Sequence, residues 1–234
     1  MKAILFDVDD TLYDLSEPFC KAYTELFGQE EEALLQKIFR SSRKYSDEVY
    51  NKALAGEITM EEMYIYRVQN ALLDYKKQIT DKKALEFQSI YEKYQFQIAL
   101  SKTMSELLME CAKHWTLGVI TNGPAKHQWD KVYTLGLTRY IPKEHIFVSG
   151  ELGFSKPQKE IFTYACERIG APVEEACFVG DSIYNDIMGS KNAGLKAVWF
   201  HRRQADNLSL NGVLPDWEAK SEEELRHVLM QLKK

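Results

Sequence analysis

Short apolar runs alternate with longer amphipathic segments along most of this 234-residue chain. The run Ala3-Ile4-Leu5-Phe6 is too short for a stable helix and reads as a buried strand. Further strands are expected at 115–120, 146–148, 176–179 and 196–200, with helices between them at 103–113, 126–135, 158–169 and 183–193. Strands alternating with helices of this length imply a parallel sheet covered on both faces. Between residues 16 and 97 the strand-like runs vanish, and helical patterning appears at 17–27, 30–54, 59–75 and 81–94. Leu34, Leu35, Ile38 and Phe39 fall at helical offsets there. Gly28 and Gly56 read as helix stops, Thr59 with Glu62 as a capping box, and Asp81 as an N-cap. A last helix is expected at 222–232, opened by Ser221 and Glu224. The expected fold class is therefore α/β: a doubly wound, Rossmann-like parallel sheet over 1–15 and 98–234, interrupted after its first strand by a four-helix insert over 16–97.

Composition supports a globular protein and narrows its partners. With 45% hydrophobic and 28% charged residues, the chain can bury one sizeable core and a smaller appendage. A net charge of −5 gives no overall attraction to nucleic acid, so an anionic ligand must be held by local positive groups. Cys20, Cys111, Cys166 and Cys177 form no C-x-x-C pair, which suits free thiols in a reducing compartment. No stretch approaches the ~20 apolar residues needed to cross a bilayer, and a cytoplasmic location without a membrane partner is expected. In that setting the sequon Asn207-Leu208-Ser209 is a chance match.

The chemistry is concentrated where apolar runs end. The first run leads into Asp7-Val8-Asp9-Asp10-Thr11, placing two carboxylates where an open α/β sheet meets its ligand. One could act as nucleophile while the other handles protons. Three further blocks follow: Leu117-Gly118-Val119-Ile120-Thr121-Asn122-Gly123, then Gly153-Phe154-Ser155-Lys156-Pro157, then Cys177-Phe178-Val179-Gly180-Asp181-Ser182 with Asn185-Asp186. Each has a bland reading alone. Lys156 could be a solvated lysine before a helix opened by Pro157, Asp181 and Ser182 could be helix caps, and Thr121-Asn122-Gly123 could be a turn. Their joint occurrence favours a metal-dependent aspartate site.

With these four blocks in this order, residues 2–200 resemble the haloacid dehalogenase superfamily of phosphotransferases and hydrolases. The resemblance implies that Asp7 is a nucleophile forming an aspartyl-phosphate and that Asp9 is the general acid/base. It also implies that Lys156 is catalytic and contacts the phosphate, with Thr121 and Asn122 on the substrate side. Mg2+ is expected as cofactor, held by the Asp7 side chain, the Asp9 backbone carbonyl and Asp181, with Asp186 supporting the metal or Lys156 from behind. The insert resembles the helical cap that closes over such sites. Asp9 distinguishes the chain from the dehalogenases and phosphonatases, which lack that acid, and Thr11 favours hydrolysis over mutase chemistry. The expected activity is thus hydrolysis of a small phosphomonoester, a nucleoside 5′-monophosphate or sugar phosphate. Ile120 to Gly123 with Lys156-Pro157 and Ile161-Phe162 resembles nucleoside 5′-monophosphate and acylneuraminate-phosphate phosphatases alike. A sugar-phosphate mutase or a non-catalytic binding member of the fold is the alternative. The expected partner is a small phosphorylated metabolite, and the expected assembly is a monomer or weak homodimer. Aromatic residues of the insert, Tyr45, Tyr50, Phe87 and Tyr91 among them, are read as packing before substrate stacking.

Overall fold

The computed structural model describes residues 1–203 and 212–233. Its sheet holds six parallel strands among the described residues: β1 (Ala3–Phe6), β2 (Thr116–Thr121), β3 (Ile146–Val148), β4 (Ala176–Gly180), β5 (Lys196–Phe200) and β6 (Trp217–Ala219). Their spatial order is β3-β2-β1-β4-β5-β6, so the order reverses at β1 and its neighbour β4. Such a switch point opens a crevice beyond the carboxyl ends of the strands. Every residue of β1 is buried, as a central strand covered on both faces requires. Phe6 is level with Val119 on β2 and Val179 on β4, and the Asp7 N–H still donates to the Val179 carbonyl at 2.9 Å. Chain leaving β1, β2 and β4 therefore emerges side by side.

The chain forms two compact units, Met1–Asp14 with Ile98–Lys234, and Leu15–Gln97. The second consists of α1 (Ser16–Phe27), α2 (Glu32–Leu54), α3 (Met60–Leu73) and α4 (Asp81–Gln95). Its interior is aromatic: Phe19 meets Phe39, Phe87 and Tyr91 edge to face at 5.0–5.9 Å. Phe87 and Tyr91 thus take the packing role, whereas Tyr45 reaches Asp74 through its hydroxyl and Phe96 is exposed. Thr59 and Glu62 form the reciprocal capping box. The cap of α4 is Thr80 and not Asp81, because the Thr80 hydroxyl receives the Lys83 N–H while Asp81 lies within the first turn.

In the other unit α5 (Lys102–Cys111), α6 (Ala125–Thr134), α7 (Ser149–Leu152), α8 (Lys159–Ile169) and α9 (Gly189–Asn192) lie between strands, and α10 (Glu222–Gln231) follows β6. The expected helix at 183–193 is a π-helical turn, Ile183–Met188, running into α9. Pro157 does not open α8: Gln158 is its N-cap, and Lys156 is buried. Cys111, Cys166 and Cys177 are buried and Cys20 is partly buried, all as free thiols. The sequon at Asn207 lies outside the described residues. Among the described residues, no helix is long and apolar enough to cross a membrane.

Candidate active site

Three loops at the carboxyl end of the sheet bring Asp7, Lys156, Asp181 and Asp186 together. Lys156 is at the centre, buried, with Nζ 2.5 Å from Asp7 Oδ1 and 2.7 Å from Asp186 Oδ1. Its backbone is held by Asn122, whose Oδ1 accepts the Lys156 N–H at 2.9 Å and whose Nδ2 donates to the Lys156 carbonyl at 2.8 Å. These two bonds lock the loop carrying Lys156 to the end of β2. Thr11 lies beside Asp7, with Oγ1 3.5 Å from Asp7 Oδ2, and Thr121 donates to Gln128 Oε1 at 3.0 Å.

Asp181 and Asp186 come from the end of β4 and the π-helical turn after it. Ser182 caps that turn by accepting the Asn185 N–H, and Asp186 Oδ2 accepts the Ser182 N–H at 2.9 Å. Asp186 can approach because residue 180 lacks a side chain. A Cβ there would lie 2.4 Å from Asp186 Oδ2 and 2.5 Å from its Cβ and Cγ.

Crowded carboxylates in low dielectric resist ionisation. Burial pushes the Asp7 carboxyl up to about 7; Lys156 opposes the rise, and Asp186 and Asp9 add to it. Desolvation likewise raises Asp181 well above the usual carboxylate range, helped by Asp186 and Asp7. For Lys156, burial alone would favour the neutral amine, but Asp186 and Asp7 outweigh it and hold the lysine above its ordinary value. The local chemistry is thus an acid cluster with one embedded ammonium. Carboxylate oxygens of Asp7, Asp181 and Asp186 can be chosen within 4.8 Å of one another, a compact all-oxygen donor set suited to a hard divalent cation such as Mg2+.

Asp9 lies next to this cluster but its carboxylate belongs to a different set of contacts. Lys131 Nζ donates to both Asp9 oxygens at 2.7 Å, Tyr13 Oη donates to Oδ1 at 2.6 Å, and Gln128 Nε2 is 3.4 Å from Oδ2. Lys131 is buried on α6.

The family described as haloacid dehalogenase-like hydrolase matches residues 1–194. The chain is a haloacid dehalogenase-like hydrolase. Among curated relatives of this hydrolase, the glyceraldehyde 3-phosphate phosphatase of Methanothermobacter thermautotrophicus is 30% identical over 234 residues, covering 91% of this chain and 93% of the relative. The pyrimidine 5′-nucleotidase YjjG of Escherichia coli is 37% identical over 117 residues, 48% of this chain and 49% of the relative. Among solved structures, the HAD-hydrolase YfnB of Bacillus subtilis, bound to magnesium, superposes with a TM-score of 0.70 at 26% identity, covering 97% of this chain and 98% of that one.

Sequence reasoning missed Lys131, Tyr13 and Gln128 in this hydrolase. It also missed Arg203, which pairs with both Asp10 and Asp14, and Arg202, whose Nη2 donates to the Thr11 carbonyl at 3.0 Å. These arginines tie the loop after β1 to the chain leaving β5. Asp10 has a φ of 63°, a left-handed conformation that Asp tolerates better than most residues, and an ion pair there helps hold the turn. Only the acidic spacing after β1 hinted that this loop needed cationic partners.

Proposed function

We propose that this hydrolase is a Mg2+-dependent phosphatase of small phosphomonoesters that works through an aspartyl-phosphate on Asp7. The observation that carries the reading is Lys156 bridging Asp7 and Asp186 beside Asp181, at the switch point of the sheet. A carboxylate approaching a phosphate dianion is repelled by roughly 4 kcal/mol per charge pair at ~4 Å and an effective dielectric of about 20. Two positive groups offset this. Lys156 supplies one charge within the protein, and Mg2+, held by Asp7 and Asp181 with Asp186 supporting the site from behind, would supply charge neutralisation of the phosphoryl oxygens. The Asp9 backbone carbonyl remains a proposed ligand.

Asp7 attacks phosphorus, forming the Asp7 O–P bond as the bond to the leaving oxygen breaks. Asp9 gives that oxygen its proton. Water then attacks phosphorus, returns a proton to Asp9 and releases the Asp7 carboxylate with inorganic phosphate. Thr11 places a hydroxyl beside Asp7, Thr121 is a proposed phosphoryl contact whose hydroxyl here donates to Gln128, and Asn122 fixes Lys156 through its backbone. The relatives named as glyceraldehyde 3-phosphate phosphatase and pyrimidine 5′-nucleotidase support a sugar phosphate or nucleoside monophosphate as substrate. Assaying both classes with p-nitrophenyl phosphate, with Mg2+ and with excess chelator, tests the reading. Full activity in chelator, or no phosphate release from any phosphomonoester, would refute it.

Metal binding should depend on pH in a direction set by Asp7. Its pKa rises from an ordinary 3.8 to about 7 on folding, so the metal-free folded state binds more protons than the unfolded state across that interval. The contribution to stability is complete below 3.8 and is lost as pH rises through about 7. A divalent ion competes with those protons. At about 100 times its Kd, Mg2+ should stabilise the protein by about 2.7 kcal/mol. At a fixed Mg2+ concentration, thermal melts should show a larger Mg2+-induced rise in Tm at pH 8 than at pH 5.5. Asp181→Ala should lose the rise, and a pH-independent rise would contradict the assignment of Asp7 as a ligand.

Gly180→Ala should act through Asp186. The added methyl displaces that carboxylate from Lys156 and the Ser182 N–H, and kcat/KM should fall about 10- to 100-fold, as for other losses of support behind a ligand. Steady-state kinetics at saturating Mg2+ would measure it.

A further inference from the structure

Among the described residues, four donor contacts from three side chains converge on the Asp9 carboxylate, and two of them come from a buried lysine outside the four sequence blocks. Lys131 reaches both Asp9 oxygens at 2.7 Å, 122 residues away in sequence, while Tyr13 and Gln128 approach one oxygen each. Burying an ammonium is costly without a partner, and Lys131 has Asp9 as the carboxylate it pairs with. A two-oxygen contact constrains a carboxylate's orientation more than a single contact does. Gln128 extends this brace to the phosphate side of the site, because its Oε1 accepts from Thr121 and its Nε2 donates to the Asn122 carbonyl at 2.9 Å. One face of α6 thereby connects Asp9, Thr121 and Asn122, with Lys131 one turn beyond Gln128 on the same face.

We infer that Lys131 is a positioning residue for Asp9, holding its carboxylate in the orientation from which it exchanges a proton with the leaving-group oxygen. This rests on the proposed proton-transfer role of Asp9. Lys131 forms and breaks no covalent bond in the step. The proton passes from Asp9 to the departing oxygen and is restored by the attacking water, while Lys131 remains an ammonium.

Leaving groups separate this role from a structural one. Phenoxide departs poorly without a proton, whereas 2,4-dinitrophenolate departs unaided, and kcat/KM stops reporting once the leaving group has gone. Lys131→Met should therefore lower kcat/KM for phenyl phosphate about 10- to 100-fold relative to that for 2,4-dinitrophenyl phosphate, part of the ~10²- to 10⁴-fold that positioned proton transfer supplies. The ratio of the two values is independent of the fraction of enzyme folded. Lys131→Arg keeps the cation with a different reach and should give an intermediate ratio, which preserves the test if the Met variant does not fold. An unchanged ratio overturns the inference. Asp9→Asn is the control: if it leaves the ratio unchanged, the Asp9 reading itself has failed and the Lys131 inference falls with it. If Asp9→Asn shifts the ratio and the Lys131 variants do not, the Lys131 inference alone is overturned.

Discussion

Asp7→Asn should lower kcat by at least about 10⁴-fold while the protein stays folded, because an amide cannot form the phosphoenzyme and removal of a nucleophile disables the whole catalytic unit. Its effect on stability should be opposite in sign to that of an ordinary ion-pair deletion. Asp7 is a buried carboxyl pushed up to about 7 by its surroundings, so above that pH its charge opposes folding of the metal-free protein. Lys156 keeps Asp186 as its partner in the variant. Thermal melts in chelator at pH 8 should therefore show Asp7→Asn at least as stable as the parent. Near-parental turnover would sink the nucleophile assignment, and a large fall in Tm would show that Asp7 has mainly a structural role.

Lys156→Ala should do the reverse, damaging both fold and activity. It leaves Asp7 and Asp186 buried together without the ammonium that bridges them, and breaking a buried pair in this way costs about 3–5 kcal/mol. Activity should fall about 10²- to 10³-fold, as when an electrostatic donor to the transition state is removed. The loss should be similar for a nucleotide, a sugar phosphate and p-nitrophenyl phosphate, since the lysine serves the phosphoryl group they share. Mg2+ should recover part of the stability by restoring positive charge. A loss confined to one substrate would place Lys156 in recognition of the leaving group instead.

What the sequence disclosed follows from the range of the interactions. β1 and β4 are legible because a doubly buried strand is an uninterrupted apolar run, and the acids lie immediately after such runs. The order of their blocks links Asp7, Lys156, Asp181 and Asp186 in the sequence, although Asp7 and Lys156 are 149 residues apart. Lys131 had no comparable marker. At helical spacing it reads as a solvated lysine, and only the tertiary fold buries it against Asp9. β6 escaped notice because Trp217-Glu218-Ala219 is three residues long and gains its strand character from pairing with β5. The turn at 183–188 reads as ordinary helix in the sequence, since apolar periodicity over six residues does not separate α from π geometry. The cap of α4 falls one residue before Asp81, because the backbone turns at Thr80 and its hydroxyl takes the Lys83 N–H although Asp is the stronger cap by residue type.

The most direct measurement is to quench the enzyme in acid during turnover with Mg2+ and a phosphomonoester, digest it, and map the phosphoryl group by mass spectrometry. The account predicts one phosphoryl group on the peptide containing Asp7, present in the parent and absent in Asp7→Asn. A phosphoryl group on another residue, or its persistence in Asp7→Asn, would contradict it.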